Sequence, residues 1–197
     1  FILLISSILS VIIGRFSVFA FIDFDNSLNS FDSPLILSIN LFFDSTKSTA
    51  LLDVTAETDE NKFVNLKNYS NDFVYDMKYA TADNFLKEKV YPCDECFLRV
   101  KTVKSLLAAN KNFIEKGFKI KLYDCYRPRA IQRKMWKIVP DANYVANPRR
   151  GSIHNKGGAV DITLIDSLGI ELDMGTKFDF FGEEASHNYL NLNDTII

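Results

Sequence analysis

The stretch GSIHNKGGAVDIT, residues 151–163, places His154, one of only two histidines in 197 residues, seven positions ahead of Asp161. The second half of this stretch alternates like a strand. A period of two puts Val160, Ile162 and Leu164 on one face and Ala159, Asp161 and Thr163 on the other. Aspartate is a poor strand former, so a carboxylate in that row needs a partner, either a cationic side chain or a metal ion. Gly151, Gly157 and Gly158 let the preceding loop fold tightly enough to turn His154 back toward Asp161. An imidazole nitrogen beside a carboxylate oxygen suits zinc, whose catalytic sites use three protein ligands and an open position. The same pair also fits a plainer arrangement, a neutral histidine bonded to a structural aspartate.

The elements that must position this pair can be read from periodicity. Residues 99–116 carry Val100, Val103, Leu107, Asn110 and Ile114 at helical spacing, with Leu106 and Phe113 beside them and Gly117 at the expected stop. FKIKLYDC then alternates, with Phe118, Ile120 and Leu122 against Lys119, Lys121 and Tyr123, which predicts a half-buried strand. Pro128 suits the first turn of a second helix, whose apolar side is Ile131, Met135 and Ile138 with Trp136. Residues 140–152 read as loop by their Pro, Asn and Gly content. A strand over 159–166 turns at SLG and returns through IELD. Two helices among hairpin-linked strands predict an α+β class with a mainly antiparallel central sheet flanked by helices.

Composition bounds the rest. A chain with 47% hydrophobic and 24% charged residues can bury one real core, and a net charge of −2 gives no bulk reason to expect nucleic acid. The first sixty residues hold two basic and eight acidic side chains, which marks a composition break near residue 60. FILLISSILSVII opens an apolar segment, residues 1–22, with the length of a signal-peptide core; a membrane anchor is the competing reading. Export to the periplasm or the outside follows, with membrane contact only through this segment. Residues 23–60 are rich in Asn, Asp, Ser and Thr without a sustained period, and read as a poorly ordered linker to a domain over 61–197. In an exported protein a disulfide is expected. A Cys96–Cys125 bridge would brace the segment holding Arg127, Cys93–Cys125 is the alternative, and one cysteine is left over either way.

Ser152 to Asp161 reads S-x-H-x-x-G-x-A-x-D, and this pattern resembles the zinc-binding signature of the D-alanyl-D-alanine dipeptidases, the VanX-like peptidases. YDCYRP (Tyr123 to Pro128) and ELDMGTKFDFFGEEASH (Glu171 to His187) are similar to two further blocks of that family, as are MKYATADNFL and YVANP. The resemblance covers residues 62–197 and implies a hedgehog/DD-peptidase-like zinc peptidase fold. It implies one zinc per chain on His154 and Asp161, with Arg127 stabilising the transition state. A guanidinium aimed at the scissile carbonyl meets the negative charge that develops there; without the resemblance, Arg127 reads as a salt bridge at a helix start. The implied substrate is a small dipeptide with a free amino end. Asp179 matches the position that holds its ammonium, and Ser152 matches a hydrogen-bonding position nearby; the plainer reading of Asp179 is a turn aspartate. His187 matches a family histidine that is not a metal ligand.

The implied activity is zinc-dependent hydrolysis of D-alanyl-D-alanine to D-alanine, in peptidoglycan turnover or glycopeptide tolerance. One departure qualifies it. The family places its general-base glutamate and third zinc-ligand histidine in a C-terminal E-x-W-H element, and this chain has none; its only tryptophan is Trp136. Glu183 and Glu184 match no catalytic position. The expectation is a dipeptidase lacking its C-terminal part, inactive as it stands. The alternatives are a non-catalytic wall-peptide-binding module of the same fold and a related zinc D,D-carboxypeptidase.

Overall fold

A computed structural model describes residues 18–21, 51–186, 189 and 191. Among them run strands β1 (Val18–Phe21), β2 (Phe63–Asn65), β3 (Val74–Tyr75), β4 (Phe97–Arg99), β5 (Lys119–Asp124) and β6 (Ala159–Ile165), with helices α1 (Val100–Ile114) and α2 (Arg129–Ile138). The main sheet has the order β1-β6-β5-β3, and β2 pairs with β4 in a separate two-stranded sheet. The pairs β1–β6, β5–β6 and β2–β4 are antiparallel, but β3 runs parallel to β5. The main sheet is therefore antiparallel in two of its three pairs, as the sequence predicted, with a parallel pair at the β3 edge that makes it mixed; the α+β class stands in this coarser form. The returning strand expected at 170–173 shrinks to a single bridge, Ile165 to Glu171.

α1 forms as its periodicity predicts, with two adjustments. Its buried row is Val100, Val103, Leu106, Asn110 and Phe113; of the residues expected on that row, Leu107 is half-buried and Ile114 is exposed. Its first N–H groups, which have no intrahelical partner, donate to the backbone carbonyls of Lys62 and Glu60. At the other end Gly117 takes φ +83°, and the N–H groups of Gly117 and Phe118 close onto the carbonyls of Ile114 and Phe113. This is the left-handed stop that a glycine supplies without Cβ strain. Asn110 is buried within the helix face because both ends of its amide are used. It accepts from the Ile120 N–H at 3.1 Å and donates to the Asp72 carbonyl at 3.4 Å, pinning α1 to β5.

Residues 51–60, placed by composition in the linker, lie against α1: Val54 is buried, and Lys104 pairs with Glu60. The rest of that segment, 23–50, and most of the apolar segment lie outside the described residues. No helix among the described residues is long and apolar enough to cross a membrane.

β5 and β6 form the spine. Ile120, Leu122 and Val160 are fully buried, as sequence alternation requires. The half-buried reading of β5 holds only for its first half, because Tyr123, Asp124 and Cys125 are also buried. Between Leu122 and Asp124 the register with β6 slips, so that Leu122 faces Ile162 and Asp124 faces Asp161. A bulge of this kind lets two residues oppose one and re-aims the side chains that follow. Cys125, next in the chain, is bonded to Cys96 with their Cα atoms 5.3 Å apart, while Cys93 is exposed and outside any disulfide.

Candidate metal and substrate site

His154 opens a single 3-10 turn, His154–Lys156, that Gly157 closes at φ +65°. A Cβ on Gly157 would overlap the Phe63 ring, so only glycine fits. The turn is stitched to the end of β5 from both directions. The Arg127 N–H donates to the His154 carbonyl at 3.0 Å, and the Asn155 side chain donates to the Arg127 carbonyl at 2.7 Å. His154 Nδ1 lies 2.8 Å from the Cys125 carbonyl. A carbonyl oxygen carries no proton, so Nδ1 must donate and Nε2 is the nitrogen left to act as a ligand. Nε2 lies 3.4 Å from Asp161 Oδ1.

Asp161 Oδ1 is buried and makes no hydrogen bond among the described residues. A buried carboxylate oxygen in this condition is costly unless a cation meets it. A proton on the imidazole is one such charge. Burial opposes the imidazolium, but the Asp161 and Asp124 carboxylates outweigh it, and the His154 pKa is raised above its ordinary value. The nitrogen and oxygen facing each other across 3.4 Å therefore fit a divalent ion, and their chemistry suits zinc.

Asp124, His154 and Asp161 form a buried cluster of ligand-type groups. Asp124 nonetheless belongs to a different task. Its Oδ1 accepts from the Tyr91 hydroxyl at 2.6 Å and the Cys125 N–H at 2.8 Å, and its Oδ2 takes Arg127 Nη2 at 2.5 Å. It also lies beside His154 Nδ1, at 3.5 Å, rather than beside Nε2. An ion between Nε2 and Asp161 would thus meet one side of the ring, while Asp124 braces the other.

Arg127 is 7% exposed and anchored at three nitrogens: Nη2 on Asp124, Nη1 on Gln132 Oε1 at 3.2 Å, and Nε on the Tyr91 hydroxyl at 3.4 Å. Its guanidinium lies 5.1 Å from the centre of the Tyr79 ring. The Tyr79 hydroxyl in turn donates to Asp179 Oδ2 at 3.0 Å. Asp179 sits at φ +57°, a left-handed conformation that aspartate tolerates better than most side chains. Burial pushes its carboxyl up to about 7; the Tyr79 hydrogen bond opposes this and the Asp161 carboxylate adds to it. Asp124, on Arg127 at 2.5 Å and beside His154 at 3.5 Å, joins the guanidinium to the His154–Asp161 pair.

Residues 59–194 match the D-ala-D-ala dipeptidase family, peptidase M15. The chain belongs to this family. It is 35% identical over 132 residues to the D-alanyl-D-alanine dipeptidase of Escherichia coli (strain K12), covering 67% of this chain and 68% of that protein. It is 33% identical over 137 residues to that of Enterococcus faecium, covering 57% and 66% respectively. For Enterococcus faecalis (strain ATCC 700802 / V583) the identity is 28% over 149 residues, covering 65% and 74%. The matched stretches thus span about two thirds of the length of the first two relatives.

The dipeptidase-family stretch contains every candidate residue described above. The structure brings His154, Asp161 and Arg127 to one buried centre, with Asp179 connected through Tyr79. Ser152 is half-buried at the entry to the histidine turn, where its hydroxyl accepts from the His154 N–H at 3.3 Å. His187 lies outside the described residues, and Glu183 and Glu184 are exposed in a short 3-10 turn. Sequence reasoning missed four members of the site: Asp124, Tyr79, Tyr91 and Gln132. Asp124 and Tyr79 stood inside blocks that resembled the dipeptidases, YDCYRP and MKYATADNFL, and went unassigned. Tyr91 and Gln132 carried no motif signal, and only their contacts reveal them.

Proposed function

We propose that the protein is a zinc-dependent D-alanyl-D-alanine dipeptidase, with His154 Nε2 and Asp161 Oδ1 as metal ligands. The observation that carries this reading is the 3.4 Å approach of those two atoms in a buried centre shared with Arg127. Zinc held there would act as a Lewis acid on the scissile carbonyl. The chain's own groups do the rest. Arg127 has five N–H donors, of which Asp124, Gln132 and Tyr91 take three, leaving two for the oxygen on which charge develops. A guanidinium already fixed and desolvated needs no reorganisation as that charge appears. Asp179, in its carboxylate form, receives the substrate ammonium, and Tyr79 orients it. The third ligand and the proton acceptor are assigned outside the described cluster, because both Asp124 oxygens are engaged.

The cellular role in this reading is removal of D-alanyl-D-alanine, in wall turnover or glycopeptide tolerance. The Cys96–Cys125 bridge suits an oxidising compartment, which together with the apolar segment 1–22 supports export. The test is release of D-alanine from D-alanyl-D-alanine by the purified full-length gene product. The release is expected to stop with chelator, return with zinc, and be absent in His154→Ala and Asp161→Ala. Metal-independent release, or zinc retained at full stoichiometry by the double variant, would overturn the assignment.

A further inference from the structure

Gln132 is 1% exposed, on the inner side of α2 one turn before Met135. A glutamine there would be costly unless both ends of its amide were used, and both are. Its Oε1 accepts from Arg127 Nη1 at 3.2 Å, and its Nε2 donates to the Ala146 carbonyl at 2.8 Å. The orientation of the amide is forced. Turned over, it would set an NH2 group against a guanidinium and an oxygen against a carbonyl. Asp124 and Tyr91 hold Nη2 and Nε from the end of β5 and from the loop before β4, so Gln132 is the only hold on Arg127 that comes from α2.

Ala146 gives this contact a second end of interest. It follows Val145, which is 1% exposed, and Tyr144, whose ring lies 4.6 Å from that of Phe181. Phe181 stands two residues after Asp179 and lies 5.2 Å from Phe85. The loop that Gln132 grips is therefore the one that touches the segment carrying the ammonium-binding carboxylate.

We propose that Gln132 is a positioning residue for Arg127, tying the guanidinium to the loop at Ala146 and keeping its two remaining donors aimed at the reacting carbonyl. This rests on the reading of Arg127 as the transition-state group. Gln132→Met removes both hydrogen bonds at nearly constant volume. It is expected to lower kcat for D-alanyl-D-alanine on the order of tenfold to a hundredfold, the scale of a small misplacement of a catalytic group, with KM nearly unchanged. In an Arg127→Ala background the same change should cost nothing further, because the two residues act as one unit. Gln132→Glu keeps the acceptor for Nη1 and should retain more kcat than Gln132→Met. An unchanged kcat, an equal loss in both backgrounds, or the reverse order of the two variants would sink the proposal.

A second measurement is independent of turnover. The Arg127 guanidinium N–H signals in a nitrogen-15 spectrum, assigned by their loss in Arg127→Lys, should exchange with solvent faster in Gln132→Met than in wild type. Unchanged exchange overturns the positioning role. Faster exchange in Gln132→Met, together with a full-length wild-type protein inert toward D-alanyl-D-alanine, would instead overturn the dipeptidase reading and leave only the structural tie between Gln132 and Arg127.

Discussion

Two aspartates in this site have very different surroundings. Asp124 is fully buried, and both of its oxygens are engaged, by Arg127, Tyr91 and a backbone N–H. Replacing it by alanine leaves the Arg127 guanidinium buried without a counter-charge. Breaking a buried pair in this way costs about 3–5 kcal/mol, which denaturant titration of Asp124→Ala should register along with lost activity. Among the described residues the Asp179 carboxylate accepts from the Tyr79 hydroxyl, and burial raises its carboxyl from 3.8 to about 7. The folded chain therefore holds a proton that the unfolded chain has released, and this group's contribution to stability declines as pH rises from about 4 through about 7. In melts of the metal-free protein, Asp179→Asn should gain on wild type across that window, and a constant difference would refute the burial argument. Only the carboxylate attracts an ammonium, so KM for the dipeptide should fall as pH rises through the titration of Asp179.

The critical joint among the elements is the end of β5. The bulge at Tyr123 turns Asp124 toward β6, the next residue is bonded to Cys96, and its carbonyl fixes the tautomer of His154. The bridge spans a sequence separation of 29, for which loop-closure entropy predicts about 3–4 kcal/mol of stabilisation. Cys96→Ala with Cys125→Ala should lose roughly that amount in a denaturant titration. The same variant should also bind zinc more weakly, since the carbonyl that orients the imidazole loses its tether. Lost stability with zinc affinity fully retained would show that the bridge serves the fold alone.

At the scale of the molecule, metal binding and folding would be one equilibrium, because unfolding pulls apart the candidate ligands on the 154–156 turn and β6. Zinc at about a hundred times its dissociation constant should add about 2.7 kcal/mol of stability, seen as a rise in Tm that chelator reverses and that His154→Ala abolishes. What sequence alone determined was local. The period of two along β6 put Asp161 opposite the Val160 row, the helical spacing and Gly117 set the limits of α1, and Pro128 marked the start of α2. Side-chain direction follows from backbone geometry within one element, so these features need no knowledge of neighbours. The motif blocks added His154, Arg127 and Asp179 by resemblance. Tertiary structure decided the remainder: the parallel seat of β3, the bulge that sets Asp124 across from Asp161, the choice of Cys96 for the bridge, and the burial of Gln132. A glutamine in a helix reads as a solvated residue until its two partners are known, and those partners lie in other elements. Register, bulges and buried polar pairs are settled by contacts such as Tyr79 with Asp179, one hundred residues apart, whose energies no local pattern in the chain encodes.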